Sequence, residues 1–374
     1  MNDLRQFIDR LFGEFDRTVE AVVADGWPEP MVRAGFELHR QTWDVDALEA
    51  AIRAELAGFG GVAALDDFVE DAAGRRLKLE RPANIVHIWP ALPGAGLTPV
   101  LFGASLGVPQ GIRPSSRGRH FAEHVASIWP DDVAPLRLLV SDDEWRAAEV
   151  VVVSGSDQTV AEVRRQVRGA RVIGYGHRVS FAVVVDGSEV ELGETAAAVA
   201  TDALMWNQTG CFSARGVMFC GSEERLEVFG ELLGDAITAE EKRLGAGGFG
   251  AGELAARVQA RGVAEFTSEI WGDSIGWAQR VDGPFNGERV AANVVTLHRV
   301  ESLAELPQAV VVPRGQLQGA ALAAPATVRD EWAEALAQLG VTRICRPGEL
   351  QAPPAGWLHD GQPNVLGWLR IVTC

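Results

Sequence analysis

The chain of 374 residues has few cysteines, only Cys211, Cys220, Cys345 and Cys374, which is no basis for a disulfide framework. It is also short of base. Lys plus Arg total 34 against 51 for Asp plus Glu, a formal net charge of −17, which argues against a binder built on clustered cations along a phosphate backbone. No nucleic acid is expected as a partner. No uninterrupted apolar stretch reaches the ~18 residues of a membrane span, and the opening MNDLRQFIDR has no signal-peptide core. A soluble, cytoplasmic protein without a membrane span is the expectation. Metal-ligand spacings such as C-x-x-C and H-E-x-x-H are missing, so no metal is expected, and there is no G-x-S-x-G elbow for a serine hydrolase. What is present is 47% hydrophobic and 23% charged, an ordinary globular balance with ample core.

Periodicity then divides the chain. Leu4, Phe7, Ile8, Leu11, Phe12 and Phe15 fall at helical spacing, and further helices are predicted over residues 44–56 and 65–72. This helical segment, residues 1–75, is expected to cover the edge of a larger domain. From Arg81 the pattern changes. Apolar strand-like runs at 85–88, 111–113, 150–153, 171–173 and 181–185 alternate with helical stretches at 98–106, 117–128 and 159–167. Such alternation predicts an α/β fold with a mostly parallel, doubly wound sheet. A second α/β block is expected over 196–350, with a Pro- and Gly-rich tail over 351–374.

One motif is a decoy. Gly245-Ala246-Gly247-Gly248-Phe249-Gly250 matches the dinucleotide fingerprint G-x-G-x-x-G, yet the residues before it read as the end of a helix. The fingerprint needs a strand before it and a helix after it. A helix-to-helix connection is the better reading.

Four places could carry chemistry. Cys211 follows the polar run Asn207-Gln208-Thr209-Gly210 and precedes the apolar run Gly216-Val217-Met218-Phe219. A polar turn with backbone N–H groups nearby would lower a thiol pKa and stabilise an oxyanion, whereas Cys220, at the end of the apolar run, reads as inert packing. Ser154-Gly155-Ser156-Asp157 joins a strand to a helix start, either as a plain capped turn or as a phosphate seat. Arg113-Pro114-Ser115-Ser116-Arg117-Gly118-Arg119 makes a local positive spot, a solvated helix start or a nucleotide-phosphate site. Gly174-Tyr175-Gly176-His177 follows a strand, and a lone His there is more often a structural donor than a catalyst.

Taken in order, these elements resemble the aldehyde dehydrogenase superfamily and, within it, the LuxC-type acyl-CoA reductases. Trp206-Asn207-Gln208-Thr209-Gly210-Cys211 is similar to the signature aromatic-Asn-Gln-Gly-Gln-Cys and puts Cys211 at the nucleophile. Ile88-Trp89-Pro90-Ala91-Leu92-Pro93 resembles the segment beside the nicotinamide, Arg113-Pro114-Ser115-Ser116 the ribose-binding Lys-Pro-x-Glu, and Gly155-Ser156 the pyrophosphate seat. Trp357-Leu358-His359-Asp360-Gly361-Gln362-Pro363 is similar to the LuxC-type ending.

The resemblance implies an aldehyde-dehydrogenase-like fold: a Rossmann-type dinucleotide domain over 76–195 and a catalytic domain over 196–350. It also implies a homo-oligomer, dimer or tetramer. Cofactor contacts would come from Ile88, Trp89, Pro90, Arg113, Ser115, Ser116, Gly155, Ser156, Tyr175 and Gly176, and catalysis from Cys211 with Asn207, Gln208 and His177. Three departures matter. Gly174 stands where the superfamily has its general-base Glu, which suits reduction or acyl transfer and not hydrolysis. Ala91 stands where the oxyanion Asn would be, leaving more to the Cys211 backbone N–H. Ser116 in place of the ribose Glu removes a charge that would repel a 2′-phosphate, which favours NADPH over NADH. The expected activity is reduction of an acyl-CoA or carrier-protein thioester to an aldehyde through an acyl-Cys211 intermediate. A cysteine acyltransferase without nicotinamide chemistry and an inactive scaffold stand as alternatives.

Overall fold

A computed structural model describes residues 2–139, 141–245, 249–272 and 275–374. The chain forms two compact units, one of Met1–Trp27, Phe36–His177 and Pro353–Cys374, the other of Pro28–Gly35 and Arg178–Ala352.

The first unit is built on five parallel strands in the spatial order Leu136–Leu138, Gln110–Arg113, Ile85–Ile88, Val150–Ser154, Arg171–Tyr175. Winding proceeds outward from Ile85–Ile88 to one edge, then returns to start again at Val150–Ser154. The reversal point, where ligands enter such sheets, lies between the C-terminal ends of those two strands. Val151, Val152 and Val153 are buried because a central parallel strand is covered on both faces. Helix Asp157–Gln166 packs Val160 and Val163 against Val86, Val151 and Val153. Burying each such valine contributes about 1.5–3 kcal/mol.

Helices Asn2–Gly13, Phe15–Ala24 and Val45–Leu56 belong to this unit. The Phe7 ring lies 4.8 Å from that of Trp129, and the Asp25 carboxylate accepts the N–H groups of His120 and Phe121, both at 3.0 Å, capping helix Arg119–Ser127. The helix expected over 65–72 does not form. A 3₁₀ turn, Val62–Leu65, and a strand, Val69–Glu70, replace it. Asp71 accepts the N–H groups of Ala73 and Arg75, and Gly74 takes φ 73°, so a tight turn returns the chain antiparallel as Arg76–Glu80. The third strand of this small sheet is Arg370–Thr373, so the tail is an integral part of the unit. Glu55 fastens it by accepting the N–H groups of Asn364, Val365 and Leu366.

The second unit has seven strands in the order Ile270–Trp271, Trp277–Arg280, Val294–Val300, Ala214–Cys220, Val179–Val185, Leu317–Ala323, Arg343–Cys345. Only the first pair is antiparallel. Val179–Val185 is buried at every position, and Phe181, Met218, Phe285, Leu322 and Trp332 share one core cluster. The sequence boundary at 195 groups this strand with the first unit. In the structure it pairs with Ala214–Cys220 and Leu317–Ala323, so the units part between His177 and Arg178. Helices Glu223–Leu244 and Ala251–Thr267 flank the glycine-rich decoy, of which residues 246–248 lie outside the described residues. Among the described residues no helix is long and apolar enough to cross a membrane.

Candidate active site

In the second unit, helix Leu192–Leu204 delivers the chain to the cysteine through an abnormal turn. Trp206, Asn207 and Gln208 have φ of 57°, 53° and 57°, three consecutive non-glycine residues in the left-handed region. Each costs roughly 1–2 kcal/mol relative to ordinary backbone, so the surroundings must hold them there. Trp206, 2% exposed, lies over Gly35, where an added Cβ would stand 2.1 Å from the indole. Gln208 is fully buried, and its Nε2 donates to the carbonyls of Ala214 at 3.1 Å and Val294 at 3.0 Å. Thr209 Oγ1 donates to the Trp206 carbonyl at 2.6 Å.

Cys211 follows, half-buried. Its carbonyl accepts from Ser180 Oγ at 2.8 Å, and Ser180 Oγ accepts from the Gly319 N–H at 3.1 Å, fixing the main chain at the thiol. Arg215 is partly buried and donates from Nη1 to the Gly287 carbonyl at 2.8 Å. Burial lowers the Arg215 pKa, and the Cys211 thiolate works in the opposite direction, favouring its charge. That attraction is mutual, so the guanidinium favours thiolate at Cys211. Burial pushes Cys345 up to about 12 and raises Cys220, which keeps both as thiols.

In the first unit, Val150–Ser154 ends in Gly155 and Ser156, and Ser156 Oγ accepts the Thr159 N–H at 3.1 Å as the cap of helix Asp157–Gln166. A cavity of about 370 Å³ adjoins this helix start, lined by Ile88, Arg113, Trp145, Gln158, Thr159 and Glu162 among others. It lies at the winding reversal. Among the described residues the buried Ser115 hydroxyl has no hydrogen-bond partner, and Gly118 is closed in by Ser115 Oγ and the Pro90 carbonyl. An orphaned donor, a cationic strand end and a capped helix N-terminus beside a cavity fit a dinucleotide.

The family model for acyl-CoA reductase (LuxC) matches residues 129–370, more than half of the chain. The chain belongs to the LuxC acyl-CoA reductase family. It is thus an oxidoreductase, an aldehyde-forming acyl-CoA reductase. Solved structures share its fold. Aldehyde dehydrogenase 21 from Physcomitrella patens, in complex with succinate, superposes with a TM-score of 0.73 at 12% identity, over 100% of this chain and 85% of that one. The NAD-dependent benzaldehyde dehydrogenase of Corynebacterium glutamicum gives 0.71 at 12% identity, over 100% and 84%. Succinic semialdehyde dehydrogenase of Streptococcus pyogenes, in complex with NADP+, gives 0.71 at 12% identity, over 99% and 88%. No curated protein matches the sequence.

Within this reductase the residues singled out from sequence have different surroundings. Ile88 and Arg113 line the cavity of the first unit, Gly155 and Ser156 immediately precede the helix that also lines it, the Pro90 carbonyl and the Ser115 hydroxyl both lie close to Gly118, and Ser116 is exposed. Trp89 and Tyr175 are committed to packing. Trp89 is 5% exposed over Gly96 and stacked near Phe121, and the Tyr175 ring lies 3.8 Å from that of His359. Gly176 follows on the same segment, and the His177 N–H donates to Asp157 Oδ1 at 2.8 Å, while its side chain is exposed. Gln208 and the buried Asn207 lie inside the turn that carries Cys211. Gly174 has a packing reason of its own, since a Cβ there would stand 2.4 Å from Val160 Cγ1. Sequence reasoning missed Ser180, Arg215 and Gly35. A lone Ser inside the apolar run Val179–Val185 was the available signal for the first.

Proposed function

We propose that Cys211 is the nucleophile that takes an acyl group from a coenzyme A or carrier-protein thioester, and that NADPH reduces the acyl group to the aldehyde. The observation that carries this is the Cys211 turn: a half-buried thiol within electrostatic reach of Arg215, reached through three consecutive non-glycine residues in the left-handed region. The sulfur of Cys211 bonds to the acyl carbon, the carbon–sulfur bond to the carrier breaks, and the carrier leaves as a thiolate that takes a proton. When bound, the reduced nicotinamide supplies the hydride that turns the acyl carbon into an aldehyde carbon. Cys211 then releases the product as its own bond to that carbon breaks, which regenerates the thiolate.

Gly155, Ser156, Arg113 and Ser115 would hold the dinucleotide, with Arg113 facing a 2′-phosphate. Glu162 lines the same cavity, where its carboxylate is engaged by Arg165 and Gln166. Gly174 leaves no carboxylate at that position to activate water, so the acyl-enzyme waits for reduction and not hydrolysis. Gln208 and Asn207 act by shaping the turn, and His177 has the exposure a proton donor needs. A homo-oligomer working in the cytoplasm is the setting this reading assigns.

The test is direct. The chain is mixed with an acyl-CoA and NADPH, and the absorbance of the reduced nicotinamide is followed alongside aldehyde release. Oxidation of NADPH that disappears in Cys211→Ser, with an acyl adduct on Cys211 by mass, is the expected result. Acyl exchange without oxidation would replace reduction by acyl transfer.

A further inference from the structure

We propose that the loop Gly348-Glu349-Leu350-Gln351 is a clamp that fixes Cys211 in its reactive place, with Asp202 and Gln351 as positioning residues. The inference rests on the reading of Cys211 as nucleophile. Asp202 belongs to helix Leu192–Leu204, just before the left-handed turn, and is completely buried. Its carboxyl oxygens accept the N–H groups of Gly348 at 2.7 Å and Leu350 at 3.0 Å. Gln351, 5% exposed, donates from Nε2 to the Asp202 carbonyl at 2.8 Å and reaches Ser213 Oγ at 3.4 Å. Ser213 Oγ in turn donates to the Met205 carbonyl at 3.5 Å. One loop is therefore tied to the chain on both sides of the thiol.

The loop is itself braced. Arg343 donates from Nη2 to the carbonyls of Glu349 at 2.6 Å and Ala352 at 3.2 Å, and its guanidinium carbon lies 5.9 Å from the ring centre of Phe212, the neighbour of Cys211. The Glu349 carboxylate closes the loop by accepting the Arg346 N–H at 3.1 Å. A turn that departs from ordinary backbone relaxes unless its ends are fixed, and relaxation here would carry the thiol with it. Burying a carboxyl and an amide side chain to fasten one short loop is explained by that need. A misplacement of an ångström at a reacting atom can cost about 100-fold in rate.

The test uses the full chain with Asp202→Ala, Asp202→Asn and Gln351→Leu. Acylation of Cys211 by an acyl-CoA without nicotinamide is timed by intact mass, alkylation by iodoacetamide is timed in the native and urea-unfolded states, and kcat and KM are measured separately. The clamp predicts acylation and native alkylation slowed by ~100-fold in Asp202→Ala and Gln351→Leu, KM within about 3-fold, and cooperative unfolding retained. Asp202→Asn, which keeps an acceptor, recovers part of the rate, and all variants alkylate alike when unfolded. Folded variants that acylate at the parental rate, or that lose activity only through KM, overturn the clamp. If Asp202→Ala does not fold, Gln351→Leu decides by the same criteria. A parental chain that forms no adduct on Cys211 overturns the nucleophile reading, a different failure from one confined to the variants.

Discussion

Two turns in this protein lie between a strand and a helix, and they are made in opposite ways. The turn after Val150–Ser154 uses residues that favour its shape: Gly155, then Ser156 at φ −66° and ψ 157° with its hydroxyl on the Thr159 N–H. The turn before Cys211 uses Trp206, Asn207 and Gln208 in a conformation that only glycine adopts freely. A slot over Gly35, the Gln208 amide and the Ser180 hydroxyl hold it. The first turn is favoured by its own residues; the second depends on the second unit being folded around it. Where a backbone has to be imposed, reactivity becomes a property of the whole unit.

The contrast can be tested from its strongest point downward. Removing the sulfur, as Cys211→Ser, is expected to lower NADPH oxidation by about 10⁴-fold or more, checked by initial rates. Disturbing the imposed turn without touching the thiol comes next. Gly35→Ala drives a Cβ into the Trp206 ring, and kcat is expected to fall ~100-fold with reduced stability in urea. If activity survives Gly35→Ala, the turn is less dependent on its surroundings than its dihedrals imply. On the other unit the effects should be smaller and confined to binding. Arg113→Ala is expected to raise KM for NADPH roughly 10-fold and leave KM for NADH nearly unchanged, by steady-state kinetics with each cofactor.

Two stability experiments sharpen the comparison further. Burial raises the Asp202 carboxyl to about 7, above its ordinary value of 3.8. A raised folded-state pKa gives stability that is present below the unfolded value and is lost as pH rises through the folded one. Between about pH 4 and pH 8 the parental chain should therefore lose more stability than Asp202→Asn, by on the order of a few kcal/mol, measured by urea unfolding at each pH. The smallest effect belongs to the first unit, where Gly174→Ala should cost about 1–3 kcal/mol through collision with Val160 and be partly relieved in the double variant with Val160→Ala.

Much of the first unit was readable because its rules are local. The apolar runs at 85–88 and 150–153, the Ser156 cap and the helix after it each follow from neighbours in sequence, and so does the alternation that signals a parallel sheet. The three-stranded sheet was not readable. It joins Arg76–Glu80 to Arg370–Thr373, strands from nearly opposite ends of the chain, and only a two-residue strand of it lies nearby. The helix expected over 65–72 failed for the same reason, since a hairpin turn at Asp71 and Gly74 joins the chain to that sheet.

At the candidate site the motif around Cys211 named the sulfur and its leading residues, and the polar run before it marked a turn. Left out were Ser180, on strand Val179–Val185, Arg215, on strand Ala214–Cys220, and Asp202, on the helix that leads into the turn. Asp202 sits in the apolar stretch Ala196-Ala197-Ala198-Val199-Ala200-Thr201-Asp202, where a lone acid was a visible anomaly with no visible partner.

By itself, then, the sequence determined the order of elements, the two α/β blocks and the single cysteine set in polar company, because propensity, capping and periodicity act over a few residues. Tertiary structure alone decided which sheet Val179–Val185 joins, why Gly174 carries no side chain, and what forces residues 206–208 into the left-handed region. Those outcomes depend on groups brought together from distant parts of the chain, and steric fit and buried hydrogen bonds between such groups take effect only on folding.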